Sequence, residues 1–142
     1  MVDDADDAGD ESLPETFWGV ARRLRDLSKQ TLAPWDISPS HGRALGVLAR
    51  HGVMRLSELS DHLRIAPRST TEVVDALQER GLVQRRPDPS DRRATLVALT
   101  DEGKRVAQAI RRARGAEAEA FFGALPEADR SELRRILGQL RG

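Results

Sequence analysis

Apolar residues recur along this chain at spacings of three and four, interrupted by two short β-prone runs, and that rhythm predicts helices arranged around a small hairpin. Leu13, Phe17, Val20, Leu24 and Leu27 form a narrow seam suited to packing against another helix, of this chain or of a second copy. Ser12 and Glu15 have capping-box spacing with Pro14 in the first turn, so the helix is predicted to start there and to end before Pro34. Ser38-Pro39 opens a second helix by the same logic. Its apolar side is Ala44, Leu45, Val47 and Leu48, and Gly52 stops it. After an extended piece at 53–56, Ser57 is expected to cap a third helix bearing Leu59 and Leu63.

Only Arg64-Ile65-Ala66 separates that helix from Pro67, which can open the next, and this is helix-turn-helix spacing. In the second helix of the pair Thr70, Val73, Val74 and Leu77 make the buried stripe, with Arg68, Thr71, Glu72 and Asp75 opposite and Gly81 as the stop. Residues 82–86 and 95–99 are β-prone and flank a polar loop containing Pro87 to Asp91, so a hairpin is predicted with Asp91, Arg92 and Arg93 in its loop. Thr100 caps a long helix running to about Phe122, and Pro126 opens a last one with Leu133, Ile136, Leu137 and Leu140 at i, i+3, i+4 and i+7.

This order predicts a mostly α (α+β) fold: a winged helix-turn-helix over about 53–100, between terminal helices at about 12–33 and 101–141. Residues 12–142 read as one domain. Leu56, Leu59, Leu63, Val73, Val74, Leu77, Leu96 and Leu99 are the expected core. The terminal helices carry more apolar surface than a small winged unit can cover. They are therefore expected to form a dimerisation arm through Leu24, Leu27, Leu133, Leu137 and Leu140. A helix followed at once by a cation-tipped hairpin suits the grooves of double-stranded DNA, the helix entering the major groove and an arginine of the hairpin a neighbouring minor groove.

The zero formal charge hides an asymmetry. Residues 1 to 15 hold seven acids and no Lys or Arg, which leaves 23 bases against 16 acids in the remainder, a net of +7. Residues 1–11, MVDDADDAGDE, have almost nothing apolar to bury and are expected to be a disordered acidic leader. Without cysteine the chain has no disulfide, thiolate metal site or cysteine redox switch. No apolar run approaches the roughly 18 residues of a membrane span and the N-terminus lacks a basic-then-apolar signal, so a cytoplasmic protein is expected. His41, His51 and His62 lie ten and eleven apart without an evident carboxylate pair, and no metal or other cofactor is expected. No glycine-rich phosphate loop, nucleophile elbow or HExxH helix points to an enzyme.

The chain resembles the MarR family of bacterial transcription regulators over about residues 15–140. The resemblance rests on Asp88-Pro89-x-Asp91-x-Arg93 followed by Leu99-Thr100-x-x-Gly103, and on Val74-Asp75-x-Leu77-x-x-x-Gly81-Leu82-Val83. It implies a homodimer with winged helix-turn-helix lobes that binds a pseudo-palindromic operator. It further implies a repressor released when a small, often aromatic, effector lodges between lobe and arm.

Arg93 is then the expected minor-groove residue, braced by Asp91, with Arg92 beside it. Arg68, Ser69 and Thr71 open the recognition helix, and Ser40 with His41 starts the second helix near the DNA backbone. Trp18, Trp35 and His41 are candidate walls of the effector pocket, although the two tryptophans could equally pack the arm. Glu72 departs from the base or neutral residue of many relatives: it either accepts from a cytosine amino group or pairs with Arg68, four residues earlier. The competing reading is a winged-helix protein-contact module, antirepressor-like, without DNA binding. Glu72, Asp75 and the acidic leader favour it.

Overall fold

The computed structural model describes residues 10–142, so the predicted leader lies outside the described residues up to residue 9. The chain order is α1 (Leu13–Leu32), a single 3-10 turn (Ala33–Trp35), α2 (Pro39–His51), β1 (Met54–Arg55), α3 (Leu56–Leu63), α4 (Pro67–Glu79), β2 (Val83–Asp88), β3 (Asp91–Leu99), α5 (Asp101–Phe122) and α6 (Glu127–Arg141). The three strands form an antiparallel sheet in the order β1-β3-β2, with Met54 opposite Val97 and Val83 opposite Leu99.

Helix starts follow the local chemistry. The Ser12, Ser38 and Thr100 hydroxyls accept from the amides of Glu15, His41 and Gly103, three residues on in each case. The third helix departs from expectation. It begins at Leu56, not after Ser57, because the Glu58 carboxylate accepts from the Arg55 amide at 3.3 Å and supplies the cap from inside the first turn.

Leu45 and Leu48 of α2, Leu59 and Leu63 of α3, Val73, Val74 and Leu77 of α4, and Val83 and Val97 of the sheet are buried together with Val106 and Ile110 of α5. Leu56 and Leu96, expected in this core, are only half-buried. One polar contact crosses it: the Ser60 hydroxyl donates to that of Thr70 at 2.8 Å, and Thr70 donates to the Ala66 carbonyl at 3.3 Å. Both hydroxyls are thereby satisfied where water is excluded, and the pair fixes α3 against α4.

The strands are longer than propensity predicts, and Asp88 pairs with Asp91 across a two-residue turn, Pro89-Ser90. Pro87 is tolerated because β2 is an edge strand and the register shifts beside it. Arg92 and Arg93 consequently stand at the start of β3 and not in a loop.

Helix-turn-helix, wing and α5 meet at one tight crossing. Gly81, at φ 73, ends α4 with the bond pair Leu82 N–H to Leu77 carbonyl and Gly81 N–H to Gln78 carbonyl. The Leu82 carbonyl then accepts from the Thr100 amide at 3.1 Å, and the Thr100 hydroxyl donates to the Gly81 carbonyl at 2.6 Å. Gly103 sits against this crossing so closely that a Cβ there would lie 1.9 Å from the Leu82 carbonyl oxygen.

The C-terminal half of α1 packs on α2 and α5: Leu32 is fully buried, Thr31 hydrogen-bonds Glu117, and the Arg23 guanidinium lies 5.5 Å from the centre of the Phe121 ring. The N-terminal half of α1 and α6 contribute no buried residue among the described residues. Leu13 is 82% exposed, Leu140 is 76% exposed, and α6 has no buried residue.

Gly103→Ala should cost about 2–3 kcal/mol, since the intruding methyl meets backbone that cannot rotate away. Gly81→Ala, strained only by its positive φ, should cost about 1 kcal/mol. Urea denaturation of the two variants checks the ranking. Equal midpoints would show that the crossing has room to relax.

Candidate nucleic-acid interface

The buried stripe of α4 faces the core as predicted, so Arg68, Ser69, Glu72 and Asp75 stand on its solvent side. Ser69 is exposed at the helix start. The Thr71 hydroxyl donates to the Pro67 carbonyl at 3.0 Å, leaving its oxygen lone pairs to accept. Ser40 sits exposed in the first turn of α2, its hydroxyl 3.2 Å from that of Ser38. The proposed Arg68–Glu72 pair does not form: among the described residues four ion pairs occur, and none joins these two.

The wing is anchored by Asp88, an acid at the end of β2. Asp88 is only 8% exposed, and its carboxylate accepts from the Ser90 amide at 2.9 Å, the Ser90 hydroxyl at 2.7 Å and Arg55 Nε at 2.9 Å. One side chain therefore closes the turn and ties it to β1. The Ser90 hydroxyl and then its amide hold the Asp88 carboxyl below its usual value. Arg55 adds less, and burial opposes them.

Asp91 acts differently from the bracing expected of it. Its Oδ1 accepts from the Arg93 backbone amide at 2.9 Å, so it fixes where the Arg93 side chain departs and does not grip the guanidinium. Arg92 and Arg93 both project into solvent.

Two further arginines do work that local patterning did not reveal. Arg85 of β2 pairs with Asp75 and bonds Gln78, joining the wing to the exposed side of α4. Arg80, the residue that closes α4, reaches the 3-10 turn: its two terminal nitrogens donate to the Trp35 and Asp36 carbonyls, each at 2.6 Å. His41 lies near this guanidinium. Burial, and after it the Arg80 charge, pushes its imidazole below the usual histidine value.

The aromatic pocket expected from Trp18, Trp35 and His41 is not assembled within one chain. Fourteen residues of helix separate Trp18 from Leu32, about 20 Å of rise, before the turn that holds Trp35. Trp18 is 58% exposed and meets Phe17 edge-on, with ring centres 5.6 Å apart, whereas Trp35 packs against the core. The His51 and His62 rings stack at 4.3 Å on neighbouring helices. Among the described residues no group of three or more His, Cys, Asp or Glu side chains could hold a metal ion. Likewise, no helix there is long and apolar enough to cross a membrane.

A family model described as "MarR family" matches residues 37–95. An HTH-type transcriptional regulator of Mycobacterium leprae is 37% identical over 115 residues, which are 80% of this chain and 76% of that protein. The chain belongs to the MarR family. The HTH-type transcriptional repressor IacR of Pseudomonas putida is 32% identical over 140 residues, 93% of this chain and 82% of its own. Among solved structures, a mutant MarR of E. coli complexed with operator DNA superposes with a TM-score of 0.79. The match covers 90% of this chain and 92% of that one at 23% identity, a likeness of fold.

The MarR-like sequence stretches gain physical meaning here. Asp88 and Asp91 close the wing turn from either side. Thr100 and Gly103 make the crossing that carries α5 away from it.

Because the native carboxyl of Asp88 titrates below its unfolded value, its contribution is fully present above about pH 4, the usual carboxylate range, and is lost as the pH falls through the lowered native value. The NMR position of the Ser90 amide should therefore hold from neutrality down to about pH 5 and move only in stronger acid. A midpoint above the ordinary aspartate value would contradict the hydrogen bonding assigned to Asp88.

Proposed function

We propose that this MarR-family protein is a homodimeric, sequence-specific repressor that binds a pseudo-palindromic operator in double-stranded DNA. The observation that carries the proposal is the charge balance of the α4–wing face. Asp75 is paired with Arg85 and Asp88 with Arg55, while Arg68, Arg92 and Arg93 are exposed and, among the described residues, have no acid bound to them. That arrangement favours DNA over an acid-displaying protein contact, even with Glu72 present. In this reading the start of α4, with Arg68, Ser69 and Thr71, enters the major groove. Arg93 reaches the minor groove, and Ser40 and Arg92 meet the backbone. The repressor assignment draws support from the name borne by IacR. Release by a small aromatic effector belongs to the same proposal, with Trp35 and His41, half-buried before and after the α1–α2 junction, as the available contacts.

The dimer is supported by the uncovered apolar residues of α1 and α6: Phe17, Trp18 and Val20 on one, Ile136, Leu137 and Leu140 on the other. Leu24, Leu27 and Leu133 are half-buried at their edges. Sedimentation at micromolar concentration should give twice the 15.7 kDa chain mass. Leu137→Asp combined with Leu140→Asp should shift the species toward monomer. A folded parent that sediments at the single-chain mass would refute the dimer.

A mobility-shift titration on DNA upstream of the protein's own gene, with nonspecific competitor, tests the DNA reading. If about six phosphates are neutralised per dimer, log K should fall against log salt with a slope near −5, and a slope near zero would favour protein contact. Arg93→Ala should lose about 1–3 kcal/mol per half-site with folding intact, because its side chain is exposed and lies outside the core. Asp91→Ala should cause part of that loss although it removes a negative charge. Tighter binding by Asp91→Ala would show that the wing acts only as positive charge.

A further inference from the structure

The Arg80 fork joins two parts of the molecule that the operator reading treats separately. Its backbone closes α4, with the Arg80 amide bonded to the Ala76 carbonyl, so its position is that of the recognition helix itself. Its guanidinium grips two successive carbonyls, Trp35 and Asp36, in the turn through which the arm helix α1 becomes α2. That turn is well defined on its own side. Leu32, just before it, is fully buried, Trp35 packs on the core, and Asp36 adopts φ 51, a conformation open to aspartate at modest strain. The planar fork of arginine suits two adjacent carbonyls, and the single ammonium of lysine cannot serve both in the same geometry. Asp75 and Gln78, held by Arg85, fix the outer side of the same helix to the wing, so Arg80 is the corresponding tie toward the arm.

We propose that Arg80 is a positioning residue that sets the angle of the recognition helix relative to the dimerisation arm, and through it the separation of the two recognition helices presented to an operator. The inference rests on the operator-binding reading above. A homodimer reads two half-sites at a fixed spacing, so a small rotation of each α4 misplaces both sets of base contacts at once. Nonspecific binding, which needs only positive charge near phosphates, tolerates that rotation. Arg80 also touches the junction beside His41, so anything that shifts this turn has a direct mechanical route to the end of α4.

The test uses the full-length chain with Arg80→Lys, which keeps the charge, and Arg80→Gln, which does not. Each is measured for operator affinity, affinity for random DNA, the salt slope of both, and thermal unfolding. The expected result is a loss of about tenfold in operator affinity for Arg80→Lys, with random-DNA affinity and both slopes unchanged. Operators with half-site spacing altered by one base pair should lose less against Arg80→Lys than against the parent. Arg80→Gln should match the lysine variant and, lacking the charge, should raise the His41 titration midpoint seen by NMR. If Arg80 instead touches phosphate, Arg80→Lys will bind the operator like the parent and Arg80→Gln will weaken both DNAs with a shallower slope, which overturns the proposal. A lowered unfolding temperature with an unchanged operator-to-random ratio also overturns it. A parent that fails to bind any operator would sink the DNA reading itself, a result distinct from either of these.

Discussion

The helix-turn-helix, the wing and α5 are held in one arrangement by the crossing at the Leu82 carbonyl. Within four residues the chain leaves α4 through a left-handed glycine, turns into the wing and offers that carbonyl to the amide of Thr100. Thr100 performs three tasks there: its amide donates to Leu82, its hydroxyl donates to Gly81, and the same oxygen caps α5 by accepting from Gly103. The first turn of α5 can approach the Leu82 carbonyl this closely because Gly103 has no Cβ. The end of α4, the wing and the start of α5 therefore share one origin, and displacement of any of them is felt by the other two.

Charged side chains tie the outer ends of these elements together. Arg55 with Asp88 joins β1 to the wing turn, Arg85 with Asp75 joins the wing to α4, and Arg80 joins α4 to the turn between α1 and α2. Each of these arginines is at least partly exposed, so the energetic worth of each contact is modest. Their importance lies in direction. A hydrophobic core fixes volume and burial but permits small rotations, whereas a fork aimed at defined oxygens selects one angle.

Much of the fold was legible in the sequence, because cap residues, prolines, glycines and apolar spacing are local signals. The starts of α1, α2, α4 and α5, the helix-turn-helix spacing and the buried stripe of α4 followed from them. What local reading missed depended on partners distant in the chain. Arg55 and Asp88 are 33 residues apart and Arg80 and Asp36 are 44 apart, so neither contact leaves a periodic trace. The strands extend beyond their β-prone runs because pairing across the sheet recruits Pro87, Arg92 and Arg93, which by type are loop residues. The third helix began early because a carboxylate within it supplied the cap expected of a preceding serine. Asp-Pro-Ser did carry a usable hint: an aspartate two residues before a serine is the pattern of a side chain closing its own turn.

The outer margin of the wing has a consequence for solubility. β2 pairs with β3 on one side only, and at its far end Pro87 carries no N–H for an incoming strand. Gln84 and Arg86 stand exposed beside it, so a neighbouring chain would have to desolvate a cation in order to extend the sheet. At the opposite margin β1 is only two residues long and offers little template. The sheet thus offers little template to a further strand at either margin, and a protein held at high local concentration would not extend it by strand addition.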